Sequence, residues 1–164
     1  HLDHVKMGVM LNSVTSDCAT LREDAPAIVC NIESDCDVRG DEKQLRSAVT
    51  NLVVNAVNHT PAEGQVTIRW ARLDGEGRLS VVDTGEGIAA EHLPRLTERF
   101  YRVDAGRSRE HGGTGLGLAI VKRIVDRLGG AAGVRAAPDQ GALFWFSLPA
   151  VPAGAASAKT SLLV

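Results

Sequence analysis

The chain has 164 residues, enough for one domain with a sizeable core, and its formal net charge of −2 with 23% charged residues argues against a general nucleic-acid binder. No run approaches the ~20 apolar residues needed to cross a bilayer, and no signal-peptide pattern opens the chain. Cys18, Cys30 and Cys36 lack metal-type spacing and read as free thiols of a reducing compartment, so the sequence is assigned to the cytoplasm. The chain opens at His1 in what reads as mid-element, which suggests a piece of a longer protein.

In chain order, His4 to Gly8 reads as a short edge strand. Val9, Met10, Val14, Cys18 and Leu21 recur at helical spacing and predict a helix from Val9 to about Arg22. Ala27 to Ile32 is rich in β-branched residues and reads as a strand, and Asp37 to Gly40 as a short extended piece. Asp41, with Gln44 three residues on, has the form of a helix N-cap. The helix it opens should reach about His59, stopping before Pro61.

That helix has two unlike faces. Leu45, Ala48, Val49, Leu52, Val53 and Ala56 form an apolar stripe that needs a core. Asn51, Asn55, Asn58 and His59 fall at i, i+4, i+7 and i+8 and share the neighbouring face. Asparagine is a mediocre helix former, and solvated helix faces usually carry Lys, Glu and Gln. This face is therefore either an unusual polar surface or one that meets a ligand.

Gln65 to Leu73 alternates as a strand, with Val66, Ile68 and Trp70 on one side. Asp74-Gly75-Glu76-Gly77 reads as a turn and Arg78 to Val82 as its hairpin partner. The partner leads into Asp83-Thr84-Gly85-Glu86-Gly87-Ile88, a carboxylate at a strand exit followed by two glycines. Alone this is an ordinary turn or a place where the backbone approaches something flat. Ala90 to Phe100 reads as a helix, and Tyr101 to Gly113, with Arg102, Arg107 and Arg109, as a mobile loop. Thr114 to Leu128 is strongly helical, ended by Gly129-Gly130. Ala131 to Ala137 and Ala142 to Leu148 form a last hairpin around Pro138-Asp139-Gln140-Gly141; the domain is placed at residues 4–149, with 150–164 a flexible tail.

Three of these parts have complementary chemistry. Asp83 on a strand end can accept a hydrogen bond from an exocyclic amino group such as that of adenine, with Gly85 and Gly87 leaving room for the base. The amides of Asn51 and Asn55 are neutral oxygen ligands suited to Mg²⁺, which shares itself with water and phosphates. Gly113, Gly115 and Gly117 at a helix start offer unhindered N–H groups to a polyphosphate, and the arginines before them add charge. Glycines there also permit close helix packing, although that does not account for the arginines. Base, metal and phosphate together describe a nucleotide site.

The same residues carry a family resemblance. Asn51-Leu52-Val53-Val54-Asn55-Ala56-Val57-Asn58-His59-Thr60-Pro61 resembles the N box of the catalytic ATP-binding domain of bacterial sensor histidine kinases, in the GHKL ATPase superfamily. Val82 to Ile88 resembles the first glycine box, Glu98-Arg99-Phe100-Tyr101-Arg102 the F box, and Gly112 to Lys122 the second glycine box. The resemblance spans roughly residues 4–149, with the boxes in family order. It implies an α+β fold, a two-layer α/β sandwich in which a mixed sheet of about five strands packs against three helices, plus a small N-terminal strand. It implies ATP and Mg²⁺ as ligands. Asp83 would bind adenine, Asn55 with Asn51 the metal, and His59 would lie near the phosphates. Gly113, Thr114, Gly115, Leu116, Gly117 and Leu118 would cradle the phosphates, while Gly85, Gly87, Ile88, Phe100 and Tyr101 would line the site and Arg102 act from a lid. The implied partners are a dimerising, phosphoacceptor helical hairpin and a response-regulator receiver domain, in the cytoplasmic portion of a membrane-anchored kinase.

The sequence departs from the family at Thr97, where a phenylalanine is common, and at Glu86, where proline is common. His1 and His4 lack the acidic neighbour of a phosphoacceptor, so the histidine that receives the phosphate should lie elsewhere. Two other readings are a GHKL ATPase that hydrolyses ATP and a nucleotide-sensing module without transfer activity. Hydrolysing branches carry a glutamate base where Asn51 stands, and intact Asn55 and Asp83 argue against degeneracy.

Overall fold

The computed structural model describes residues 2–21, 23–85, 87, 117–136 and 139–152. In order these form β1 (Asp3–Val5), α1 (Met7–Cys18), β2 (Ala27–Ile32), β3 (Asp37–Gly40), α2 (Glu42–Asn58), β4 (Gln65–Leu73), β5 (Glu76–Asp83), α3 (Gly117–Arg127), β6 (Ala131–Ala136) and β7 (Ala142–Val151). The helix expected at Ala90–Phe100 and the loop at Tyr101–Gly113 lie outside the described residues.

The described strands form one mixed, seven-stranded sheet in the order β1-β3-β7-β5-β4-β2, with β6 also paired to β7. The β2–β4 pair is parallel, Ala27 opposite Gln65, and the remaining pairs are antiparallel. The sequence suggested about five strands and a small N-terminal one. The difference is β3, which read only as an extended piece because four residues are too few for alternation to register. The β4–β5 hairpin turns at Asp74 (φ 51°) and Gly75 (φ 79°), the two left-handed residues that a type I′ turn requires.

Period-two alternation puts Val66, Ile68 and Trp70 of β4, Leu79 and Val81 of β5 and Phe144, Phe146 and Leu148 of β7 in the core. The apolar stripe of α2 meets them, and each fully buried side chain of this size contributes about 1.5–3 kcal/mol. Helix α2 lies between α1 and α3; α1 also packs on β2 and β3, and α3 on β6 and β7. Trp70, fully buried, satisfies its indole by donating to the Cys36 carbonyl at 3.0 Å.

Two expectations change in this frame. Helix α1 begins two residues early, at Met7, and buries Met7, Met10, Leu11, Val14 and Cys18, leaving Val9 exposed. The cause is distant in sequence. Lys6 at the N-cap makes no capping bond, and Asp37 of β3 accepts the Met7 N–H at 3.1 Å while its other oxygen meets His4 Nε2 at 2.7 Å. Strand β7 runs through Pro149 to Val151, where Ala150 and Val151 pair with Val38 and Asp37, so the sheet uses two residues assigned to the tail. The cap of α2 matches expectation: Asp41 accepts the Gln44 N–H at 3.0 Å. Asp41→Ala should therefore lower unfolding free energy by about 1 kcal/mol with an unchanged denaturant m-value; a loss under ~0.3 kcal/mol would remove the cap from the account.

Candidate functional site

Asp83 occupies a hydrophobe's position. It ends the row Leu79, Val81, Asp83 on the helix-facing side of β5, opposite Val66 on β4 and Ala142 on β7. The residue is only 5% exposed, so its carboxylate has lost most of its water. It accepts the Gly85 N–H at 2.9 Å. Burial pushes the carboxyl above the ordinary aspartate range, and the hydrogen bond from the Gly85 N–H partly opposes that.

The loop after Asp83 is fixed on three sides. Thr84 extends the β4–β5 ladder: its N–H donates to the Gln65 carbonyl at 3.2 Å and its Oγ1 accepts the Gln65 N–H at 2.9 Å. A Cβ on Gly85 would collide with the His59 carbonyl and lie 3.0 Å from the Asp83 carboxylate. Gly85 is thus needed for a close approach between the loop and the end of α2. Gly87, with φ 76°, uses the left-handed region.

Helix α2 carries the polar face alongside. Asn51 is half-buried, and its amide nitrogen donates to the Ser47 carbonyl at 2.8 Å and to Ser47 Oγ at 3.3 Å. Those bonds leave the Asn51 carbonyl oxygen as the outward acceptor. Asn55 is half-buried too, and its amide has no hydrogen-bond partner among the described residues. His59 caps the helix, its N–H donating to the Asn55 and Ala56 carbonyls. A contact of Gly85 with His59 brings the Asp83 loop against this end of α2.

Gly117 is the first described residue of α3, and Leu118 packs half-buried against the core. Ile88, Phe100, Tyr101, Arg102, Gly113, Thr114, Gly115 and Leu116 lie outside the described residues. Sequence reasoning missed Gly141, Ala142, Thr84 and Ser47. Gly141 read only as a turn residue, and Ala142 meets Asp83 only through strand pairing, which leaves no mark in side-chain chemistry. Among the described residues no three His, Cys, Asp or Glu side chains group as a metal site, and the neutral asparagines are the oxygen donors of this face.

The desolvated carboxylate has a pH signature. An aspartate whose folded pKa is raised stabilises the fold fully below its unfolded value of about 3.9, and that contribution is lost as pH rises through the folded value. Relative to Asp83→Asn, the nucleotide-free wild type should therefore lose thermal stability as the pH rises above about 4. A Tm difference that stays constant as the pH is raised would show that Asp83 is not desolvated.

Residues 40–152 match the family model for histidine kinase-, DNA gyrase B- and HSP90-like ATPases. The chain is 46% identical over 134 residues to the phosphate regulon sensor protein PhoR of Pseudomonas aeruginosa, covering 77% of this chain and 30% of that protein. PhoR of Haemophilus influenzae is 38% identical over 143 residues, covering 87% and 34%. The chain thus spans about a third of the length of these relatives. Among solved structures, the mycobacterial sensor histidine kinase MprB aligns with a TM-score of 0.82 at 32% identity, covering 92% of this chain and 99% of that one. Full-length ShkA in complex with AMPPNP aligns with a TM-score of 0.79 at 34% identity, covering 92% and 31%. No described helix is long and apolar enough to cross a membrane. With an asparagine-faced helix, a buried strand-end aspartate and this sheet order all present, the chain belongs to the histidine kinase-, DNA gyrase B- and HSP90-like ATPase family, as the ATP-dependent catalytic domain of a sensor histidine kinase.

Proposed function

We propose that this domain transfers the γ-phosphate of Mg-ATP to a histidine on a separate dimerising helical hairpin, for relay to an aspartate of a response-regulator receiver domain. The observation that carries this reading is the buried Asp83 carboxylate beside the asparagine face of α2. A carboxylate held at a strand end accepts a hydrogen bond from the adenine amino group, and the guanine carbonyl at the same place would meet it as a second acceptor. Asn55, half-buried with an amide lacking described partners, and Asn51, with its nitrogen turned back to Ser47, present neutral oxygens that fit a magnesium ion. When bound, the ion would neutralise charge on the phosphates.

The chain's own contribution is positioning. Asp83 fixes the base, α2 holds Asn51 and Asn55 facing the triphosphate, and His59 stands at the helix end nearest the loop. The Gly113–Leu118 segment and Arg102 belong to the phosphate side, and Ile88, Phe100 and Tyr101 to the wall and lid, by their place in the family's boxes. Phosphoryl transfer needs little more than alignment and charge stabilisation. Hydrolysis as the main activity is disfavoured by Asn51, a neutral amide that cannot take a proton from water. The AMPPNP held by ShkA supports nucleotide binding by the same fold here.

Titration calorimetry with a non-hydrolysable ATP analogue should give Mg²⁺-dependent binding. Asp83→Asn should weaken adenine nucleotides at least about tenfold, or ~1.4 kcal/mol, and leave guanine nucleotides little changed; equal losses would remove the adenine role. Asn55→Ala should abolish the difference between titrations with and without Mg²⁺, and an unaltered metal response would place the ion on other ligands. Phosphate appearing on the hairpin supplied in trans would distinguish transfer from a sensing module, which would bind nucleotide and label nothing.

A further inference from the structure

The sheet face turned away from the helices breaks the pattern expected of a bare surface. A sheet covered on one side alternates apolar residues inward with polar residues outward. Val81 of β5 and Phe144 and Phe146 of β7 follow the inward half of that rule. Their outward neighbours are Val82, Leu143 and Trp145, all apolar, and Val29 of β2 lies in the cross-strand row of Val82 and Leu143. Val29 and Val82 are each 37% exposed, and Leu143 and Trp145 are half-buried. Single exposed hydrophobes are ordinary, but neighbouring ones on one face mark a contact surface.

The charge on this face is mostly of one sign. Arg69, Arg78 and Arg135 point outward from β4, β5 and β6. Among the described residues of β2, β4, β5, β6 and β7, the outward positions hold one carboxylate, Glu76, beside the β4–β5 turn. Arg69 is paired with Glu33, to which its Nη2 donates at 3.1 Å, whereas Arg78 and Arg135 have no ion pair among the described residues. Stacking holds Arg78 instead. Its guanidinium lies 4.3 Å from the Trp145 ring centroid, and its Nε is buried without a hydrogen-bond partner among the described residues. The indole in turn lies against Gly133 of β6, where a Cβ would come within 2.7 Å of Cζ2 and Nε1.

We propose that this face docks an acidic, amphipathic segment of a partner protein, whose apolar side chains cover Val82, Leu143 and Trp145 while a carboxylate meets the Arg78 guanidinium. Tryptophan and arginine are the side chains that most often carry the energy of protein–protein contacts. A guanidinium already fixed on a ring loses little freedom when a carboxylate joins it, and its fork matches two carboxylate oxygens. The chain as a whole has net charge −2, so the positive sign belongs to this face. A second copy would set arginine against arginine. An anionic lipid surface is recognised by about four to eight clustered basic residues, and here only Arg78 and Arg135 are unpaired. The surface is separate from the proposed nucleotide site, since Asp83 belongs to the helix-facing row of β5.

The probe is a synthetic helix with leucine along one side and glutamate along the other, titrated against the domain by calorimetry and compared with a version carrying lysine for glutamate. Arg78→Glu reverses the central charge, and Gly133→Ala lifts the indole without changing charge. Arg135→Glu, at an exposed residue, keeps the test decisive if Gly133→Ala does not fold. Arg123→Glu, exposed on α3, reverses a charge on the helix layer and serves as the control. Thermal melts establish folding.

The glutamate helix should bind at least about tenfold more tightly than the lysine helix, and added salt should weaken it. Arg78→Glu and Gly133→Ala should each lose at least about tenfold, Arg135→Glu should also lose affinity, and Arg123→Glu should match wild type. Equal binding of the two helices, or wild-type affinity in Arg78→Glu, would overturn the proposal. So would sedimentation of the wild type as a dimer that Arg78→Glu dissolves, which would make a second copy the occupant. Binding to phosphatidylserine vesicles that Arg78→Glu abolishes, with no binding of the glutamate helix, would overturn it in favour of a lipid surface.

Discussion

The architecture depends on a carboxylate set where strand alternation calls for a hydrophobe. Leu79 and Val81 point into the core, and the next residue of that row is Asp83. Its carboxylate accepts the Gly85 N–H, and Ala142 of β7 stands directly opposite it in the sheet. Two close approaches that a side chain would block surround it, between Gly85 and the His59 carbonyl and between Gly141 and the Asp83 carbonyl. One buried carboxylate thus sits where two glycines let α2, β4, β5 and β7 meet at one end of the sheet.

Around this end the domain divides its labour by residue chemistry. Helix α2 gives one face to the core and another to neutral amides, and Asp41 starts it with a side-chain cap. The amides differ in condition. Asn51 is held by Ser47 one turn back, whereas Asn55 has no described partner. A ligand would find one amide pre-oriented and the other ready to turn. Above the acid range the desolvated aspartate costs the nucleotide-free domain stability, in keeping with sites that trade stability for function.

Elements long enough to express a period were legible in the sequence. Strand β2 (Ala27–Ile32), strand β4 (Gln65–Leu73) and the cap and apolar stripe of α2 could all be read directly, because alternation and 3.6-residue spacing are local properties. The start of α1 was not, because its cap comes from Asp37, thirty residues on. The short β3 and the last residues of β7 stabilise each other, and pairing between distant segments leaves no pattern in either. At the site, Asn51, Asn55 and Asp83 were visible as side chains. Gly141 was not, since a close approach between two distant main chains leaves no mark on either sequence.

Strand β7 has a role that emerges only when both its ends are considered together. At Ala142 it pairs with Asp83, and at Ala150 and Val151 it pairs with β3, which pairs with β1 and holds His4 and Met7 through Asp37. The strand's ten residues span roughly 33 Å. The start of the described chain and the base-recognition carboxylate are therefore mounted on opposite ends of a single stiff rod. A pull or twist applied at Asp3–Val5 has an unbroken mechanical path to Asp83 that bypasses the helices, so the sheet can carry force as well as hold shape.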